Sequence, residues 1–261
     1  MNPVYAVVIG IVLLAFRVLR WKVVVRGAEN VPADGPAVIA TNHISYLDFV
    51  FCGAGARKQR RRRVRFVAKR ETFTHPVTGP LMRAMRHISV DRGGDTDATM
   101  ADVRAALAAG DLVGMFPEGT INRSFVPGDA RPGAARMAIE SGAPLVPCAI
   151  WGSQRIFTKG HPFRAVRNVV ITVEFGVPIP YKADDDPVEV TTRLMASVAQ
   201  MVDGAQRDYP QQPTPGEEWW QPAHLGGGAP TPEEARVRAE AEAAERRARR
   251  QAALEESDEA A

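Results

Sequence analysis

Short apolar runs alternate with helical patterns along most of this chain, and that alternation restricts the fold more than any other feature. Residues 22–27, 37–40, 64–69, 88–90, 112–116, 144–151 and 169–175 read as strands. Between or after them, residues 49–56, 81–85, 98–109, 133–141 and 191–205 carry helical spacing. Asp97 stands where an N-cap belongs, and Gly110 where a helix stops. Strands that alternate with helices predict an α/β fold, a mostly parallel sheet flanked by helices. A chain of 261 residues, 45% hydrophobic and 24% charged, is long enough for one such domain with appendages.

The appendages lie at both ends. Residues 1–21 are expected to be a membrane-associating segment, since the first sixteen carry no charged side chain and Arg17, Arg20, Lys22 and Arg26 follow. As a helix those sixteen residues would reach roughly 24 Å, short of a ~30 Å hydrocarbon core. The segment does not read as a secretory signal, because its basic residues follow the apolar run. Either it inserts part-way into one leaflet, with Trp21 and the basic residues at the headgroups, or it packs as a core helix. The domain then runs over residues 22–209. Residues 210–232 form a Pro/Gly-rich linker, stapled back by Trp219 and Trp220. Residues 233–261 form a charged tail, helical or disordered, with pairs four apart at Glu234/Arg238, Glu242/Arg246 and Glu245/Arg249.

Charge adds one local signal. Lys+Arg number 33 against 30 Asp+Glu, so the net of +3 says little. The block Arg57-Lys58-Gln59-Arg60-Arg61-Arg62-Arg63 is dense enough to meet nucleic acid, an anionic membrane or a phosphate-rich ligand. No aromatic residues are interleaved with it to stack bases, which argues against nucleic acid. Cys52 and Cys148 sit in apolar contexts, as small core residues, and no metal-ligand spacing or cofactor motif is present.

The stretch with chemical content is Thr41-Asn42-His43-Ile44-Ser45-Tyr46-Leu47-Asp48, at the end of the 37–40 strand. Ser45 reads as a helix N-cap, with Asp48 in the first turn. On one continuous helix His43 and Asp48 would point about 140° apart, but a sharp turn between them permits a hydrogen bond. An Asp on one ring nitrogen leaves the other free to take a proton from a hydroxyl. By itself the stretch is either a catalytic pair or a capped helix beside an incidental histidine. Farther on, the 112–116 strand delivers Pro117-Glu118-Gly119-Thr120 into a loop, where the glycine permits close backbone approach to a ligand.

With His43-x4-Asp48 and Phe116-Pro117-Glu118-Gly119-Thr120 together, the chain resembles the glycerolipid acyltransferases, most of all those that act on 1-acylglycerol-3-phosphate. Arg92 after a short strand and Pro144-Leu145-Val146-Pro147 after a helix agree with two further blocks of that family, and the resemblance covers residues from about 23 to about 180. It implies acyl transfer from a thioester, acyl-CoA or acyl carrier protein, to a lysophospholipid hydroxyl in phospholipid synthesis. His43 would be the general base and Asp48 its orienting partner, with no covalent enzyme intermediate and no cofactor. Arg92, Glu118 and Gly119 would bind the acceptor. Two positions depart from the pattern: Ile121 stands where the family commonly has arginine, and Arg131 where lysine often precedes Gly133. Arg123 then joins Arg92 on the acceptor phosphate, or Arg92 carries it alone. Arg60, Arg61, Arg62 and Arg63 would serve the donor or the membrane surface. The expected location is the cytoplasmic face of the plasma membrane. The competing readings are the same reaction on another lysolipid or a glycolipid, and a non-catalytic membrane-binding protein.

Overall fold

The computed structural model describes residues 3–76, 78–90 and 96–259. In chain order the elements are α1 (Pro3–Val18), β1 (Lys22–Arg26), β2 (Ala37–Thr41), α2 (Asp48–Ala56), β3 (Val64–Lys69), α3 (Arg70–Thr74), α4 (Thr78–Ala84), β4 (Ile88–Val90), α5 (Thr96–Ala108), β5 (Leu112–Met115), α6 (Gly133–Ser141), β6 (Leu145–Trp151), β7 (Val170–Phe175), α7 (Pro187–Arg207) and α8 (Pro232–Glu259). The chain divides into two compact units. One runs to Ile121 and resumes over Pro127–Gln212; the other comprises Asn122–Val126 and the chain from Pro213 onward.

The first unit is built on a seven-stranded sheet of order β1-β7-β6-β2-β5-β3-β4. Every neighbouring pair is parallel except β6 with β7. Strands β2 and β6 are buried along their whole length, as parallel strands covered on both faces must be. Their side chains alternate between two cores. Val38, Ala40, Val113 and Leu145 face α5, α6 and α7, whereas Ala37, Ile39, Val146 and Ile150 face α2 and the start of the chain. Gly114 in β5 leaves room for a neighbour: a Cβ there would stand 2.6 Å from the Phe66 ring.

Several local expectations shift by a few residues, for stated reasons. Helix α2 opens at Asp48 rather than directly after Ser45: the Ser45 hydroxyl accepts from Leu47 N (3.1 Å), closing a turn ahead of the helix, and donates to Phe157 O (2.7 Å). Helix α7 begins at Pro187, earlier than residue 191, because Asp186 caps it by accepting from Val188 N and Pro187 takes the first position. Asp97 lies inside the first turn of α5, not ahead of it. At the other end, the last residues of α1 and those beyond it engage the core: Phe16 stacks on Phe51, and Trp21 is buried. Val7, Ile11, Leu13, Leu14 and Val18 are exposed. Among the described residues no helix is long and apolar enough to cross a membrane.

In the second unit a capping box opens α8. Thr231 N donates to Glu234 Oε2 (2.8 Å) and Glu234 N donates to Thr231 Oγ1 (3.3 Å), which holds the Glu234 carboxyl below the usual range. The stretch before it folds into two short 3-10 turns, with Trp220 buried. Of the expected helix pairs, Glu245 meets Arg249 at 2.6 Å; Glu242 also pairs with Arg123 at 2.8 Å.

Candidate active site

Parallel strands bring their carboxyl ends to one edge of a sheet, where open α/β sheets bind ligands. Here β2 delivers His43, β5 delivers Phe116 to Gly119, and β6 delivers Gly152 and Ser153 to that edge. Asn42 locks the exit of β2. Its amide donates to Ile150 O (2.9 Å) and accepts from Ile150 N (2.8 Å), so the fully buried side chain extends the β2–β6 ladder as a backbone mimic.

Asp48 is completely buried and surrounded by donors. Its Oδ2 accepts from His43 Nδ1 (3.0 Å), Ile44 N (2.7 Å) and Ser45 N (2.7 Å). Its Oδ1 accepts from the Ser153 hydroxyl (2.6 Å). A buried carboxylate is tolerated only when paired and hydrogen-bonded in this way. Because the carboxylate only accepts, Nδ1 of His43 must carry its proton there, and Nε2 keeps a lone pair. The imidazole is also stacked on Phe116, centroids 4.0 Å apart at 21°, and Phe116 on Phe66 at 5.7 Å. Such ring pairs contribute about 0.5–1.5 kcal/mol each beyond burial and confine the ring plane.

Glu118 faces the same histidine from β5. Its Oε1 accepts from the His43 backbone N–H (3.0 Å) and its Oε2 from Gly128 N (3.3 Å). The carboxylate expected on the acceptor thus fixes the backbone of His43. Gly119 adopts φ 69°, the left-handed region, and its N–H closes a turn onto Phe116 O (3.0 Å).

Arg92 lies outside the described residues. Arg123 belongs to the second unit, about three-quarters buried in its ion pair with Glu242. Ile121, where an arginine was expected of the pattern, is a buried packing residue. The arginine block lies at the opposite edge of the sheet, between α2 and the start of β3, ~15 Å away across the length of β2. Arg60 pairs with Asp34 (3.0 Å), both well exposed. Arg62 donates to the carbonyls of Pro32 (3.2 Å), Gly35 (2.5 Å) and Gly110 (2.8 Å), just ahead of β2 and β5. Arg61 and Arg63 are exposed.

Sequence reasoning missed Asn42, Ser153 and His87. Asn42 was visible within the motif, but its partner is 108 residues away. Ser153 follows Gly152, whose φ of 96° and want of a Cβ (one would stand 2.2 Å from Val170 O) permit the turn that aims the hydroxyl at Asp48. His87 is buried, accepts from Phe66 N at Nδ1 (2.9 Å) and sits edge-on to Phe66 and Phe49. Burial, and secondarily the Arg65 charge, lower its pKa to about 4. Cys52 and Cys148 are buried free thiols, as expected of core residues; the neighbouring Cys148 thiol and burial push the Cys52 thiol well up, away from nucleophilic use.

Comparison with known proteins bears on the family and the fold. The sequence profile of the family described as Acyltransferase matches residues 22–151. The chain is 32% identical over 145 residues to the 1-acyl-sn-glycerol-3-phosphate acyltransferase of Bacillus subtilis, covering 54% of this chain and 70% of that one. It is 29% identical over 160 residues to the protein of the same name from Borreliella burgdorferi, covering 58% and 60%. Its fold matches the crystal structure of the 1-acyl-sn-glycerophosphate (LPA) acyltransferase from Thermotoga maritima with a TM-score of 0.62, at 22% identity over 75% of this chain and 77% of that one.

Proposed function

The chain belongs to the acyltransferase family, and we propose that it moves a fatty acyl chain from an acyl thioester to the free hydroxyl of 1-acylglycerol-3-phosphate, giving phosphatidic acid. The observation that carries this reading is the His43 Nδ1–Asp48 contact at 3.0 Å, which leaves Nε2 as the base. In the reaction Nε2 takes the hydroxyl proton as the oxygen attacks the thioester carbonyl. The C–S bond then breaks, and the imidazolium returns the proton to the departing thiolate. Asp48 steadies the imidazolium between these events. A thioester needs no covalent enzyme intermediate for this, since proton removal at the moment of attack is sufficient.

On the acceptor side, Arg92 holds the phosphate, with Glu118 and Gly119 shaping the loop beside it. Arg123 already pairs with Glu242 through Nη1 (2.8 Å), so the phosphate is assigned first to Arg92, with Arg123 as its second contact. The donor is acyl-CoA or acyl carrier protein. Arg60, Arg61 and Arg63 are assigned to the donor's phosphates or to anionic headgroups, while Arg62 is spent on three carbonyls. The exposed apolar face of α1 favours a membrane-bound enzyme on the cytoplasmic face, inserted part-way through that helix. Because Ile121 is buried where the pattern commonly has arginine, a second acceptor class is retained: another lysolipid or a glycolipid.

Acyl-transfer assays of the purified protein with acyl-CoA and acyl carrier protein donors, across a panel of lysolipids, test the reading. Turnover is expected with 1-acylglycerol-3-phosphate and to vanish in His43→Ala. Near-normal turnover of that variant would exclude the general-base assignment; turnover only with another acceptor would move the substrate to the second class.

A further inference from the structure

We propose that the loop between β6 and β7, residues 157–167, is a second membrane contact beside α1, and that it seats the catalytic motif at the surface of an anionic bilayer. The segment reads Phe-Thr-Lys-Gly-His-Pro-Phe-Arg-Ala-Val-Arg and carries no acidic residue. Phe163 is 54% exposed, with Pro162, Ala165 and Arg167 exposed around it. Phe157 stands edge-on to Phe163 (6.2 Å, 83°) and packs against Tyr46 (4.5 Å), itself 46% exposed. An aromatic tip among Lys159, Arg164 and Arg167 has the composition of a membrane-water interface, where rings sit at headgroup level and basic residues meet lipid phosphates.

The loop is held in place at both arms. On one arm the Ser45 hydroxyl and Tyr46 N–H both donate to Phe157 O (2.7 and 3.1 Å), and the Thr158 hydroxyl donates to Ile44 O (2.6 Å). On the other, the Trp21 indole donates to Val166 O (2.7 Å) and Asn168 N donates to Leu19 O (2.9 Å). The tip is therefore fixed between residues 44–46 of the catalytic motif and the end of α1. The loop is thus continuous with the exposed apolar helix, and residues 1–28 likewise contain no acid. A nucleotide or an acidic carrier protein would be served by the charges alone. The exposed Phe163 and the adjoining apolar helix favour a bilayer over either. The consequence for catalysis rests on the proposed acyl transfer: the lysolipid hydroxyl meets His43 without the lipid leaving the membrane.

The test needs no turnover. Phe163→Cys, in a protein whose native cysteines are both fully buried, takes a polarity-sensitive thiol label. Vesicles of phosphatidylcholine and phosphatidylglycerol in equal parts should shift its emission to the blue, and nitroxide placed shallow in the acyl chains should quench it. The same label on Val188→Cys, exposed at the start of α7, should stay aqueous. Phe163→Asp should weaken vesicle affinity by about tenfold or more, the order expected for withholding one phenyl ring from lipid. An aqueous label on vesicle-bound protein, no vesicle binding at all, or a response to acyl carrier protein but not to vesicles would each overturn the proposal. Loss of acyl transfer with the label still inserted would count against the reaction only.

Discussion

The two edges of the parallel sheet both hold charged side chains against backbone, yet only one is arranged for chemistry. At the carboxyl edge a buried Asp48 is surrounded by four donors, and one of them, His43, keeps an unused lone pair at Nε2. At the amino edge Arg62 spends its guanidinium on three carbonyls, and its neighbours lie in solvent. Arginine density is a strong local signal in the sequence, and it marks the edge opposite His43. What separates the edges is whether the anchored group retains a free valence for substrate. Strand polarity settles which edge can have one, because the loops that follow β2, β5 and β6 all leave on the same side.

Substitutions should reproduce that contrast. The largest effect is expected at the base: His43→Ala should cost at least on the order of 10³-fold in kcat/KM with the fold retained, and Asp48→Asn on the order of 10²–10⁴-fold. Steady-state kinetics beside a thermal unfolding curve check both. Ser153→Ala comes next, at roughly tenfold in kcat with KM little changed, since a hydrogen bond to a charge is worth ~1.5–3 kcal/mol. If Ser153 acts through Asp48, the same change in an Asp48→Asn background should cost almost nothing further; an additive loss would reduce it to a packing residue.

The comparison extends to the two histidines. His43 has a carboxylate partner, whereas His87 has rings, a backbone N–H and the Arg65 charge. The folded pKa of His87, about 4, lies below the ordinary 6.5, so the unfolded chain binds the extra proton first. Stability from this group is therefore complete above about pH 6.5, falls as pH drops toward 4, and changes no further below that. The loss should total about 3 kcal/mol in urea unfolding series across that window. His87→Asn, which keeps an acceptor for Phe66 N, should flatten it. The smallest effects belong to the amino edge. Arg62→Ala should lower stability by ~1–2 kcal/mol with kcat unchanged, and Arg61→Ala should leave stability within about 0.5 kcal/mol. A large loss of kcat in Arg62→Ala would break the contrast.

Much of this was legible beforehand. The strands and helices were, because apolar period and turn chemistry act over a few residues. His43, Asp48 and Glu118 were singled out by the family resemblance that two motifs carry, and the structure places all three at one sheet edge. One misplaced detail had a distant competitor: the Ser45 hydroxyl, besides accepting from Leu47 N, donates to Phe157 O, 112 residues away. The start of α7 at Asp186-Pro187 carries a local signal too, an N-cap followed by proline at the first helical position.

By itself, then, the sequence determined the kinds of element and the α/β class, and it singled out His43, Asp48 and Glu118 as candidates, since each reading depends on side chains near one another in the chain. Only the tertiary structure decided the strand order, the antiparallel turn of β7 against β6, the carbonyl role of Arg62 and the partners of Asp48 and Asn42. Ser153 reaches Asp48 across 105 residues and Asn42 reaches Ile150 across 108. No local pattern encodes such meetings. They arise because burying both faces of the sheet forces β2 and β6 side by side, and the polar groups at their ends must then satisfy one another.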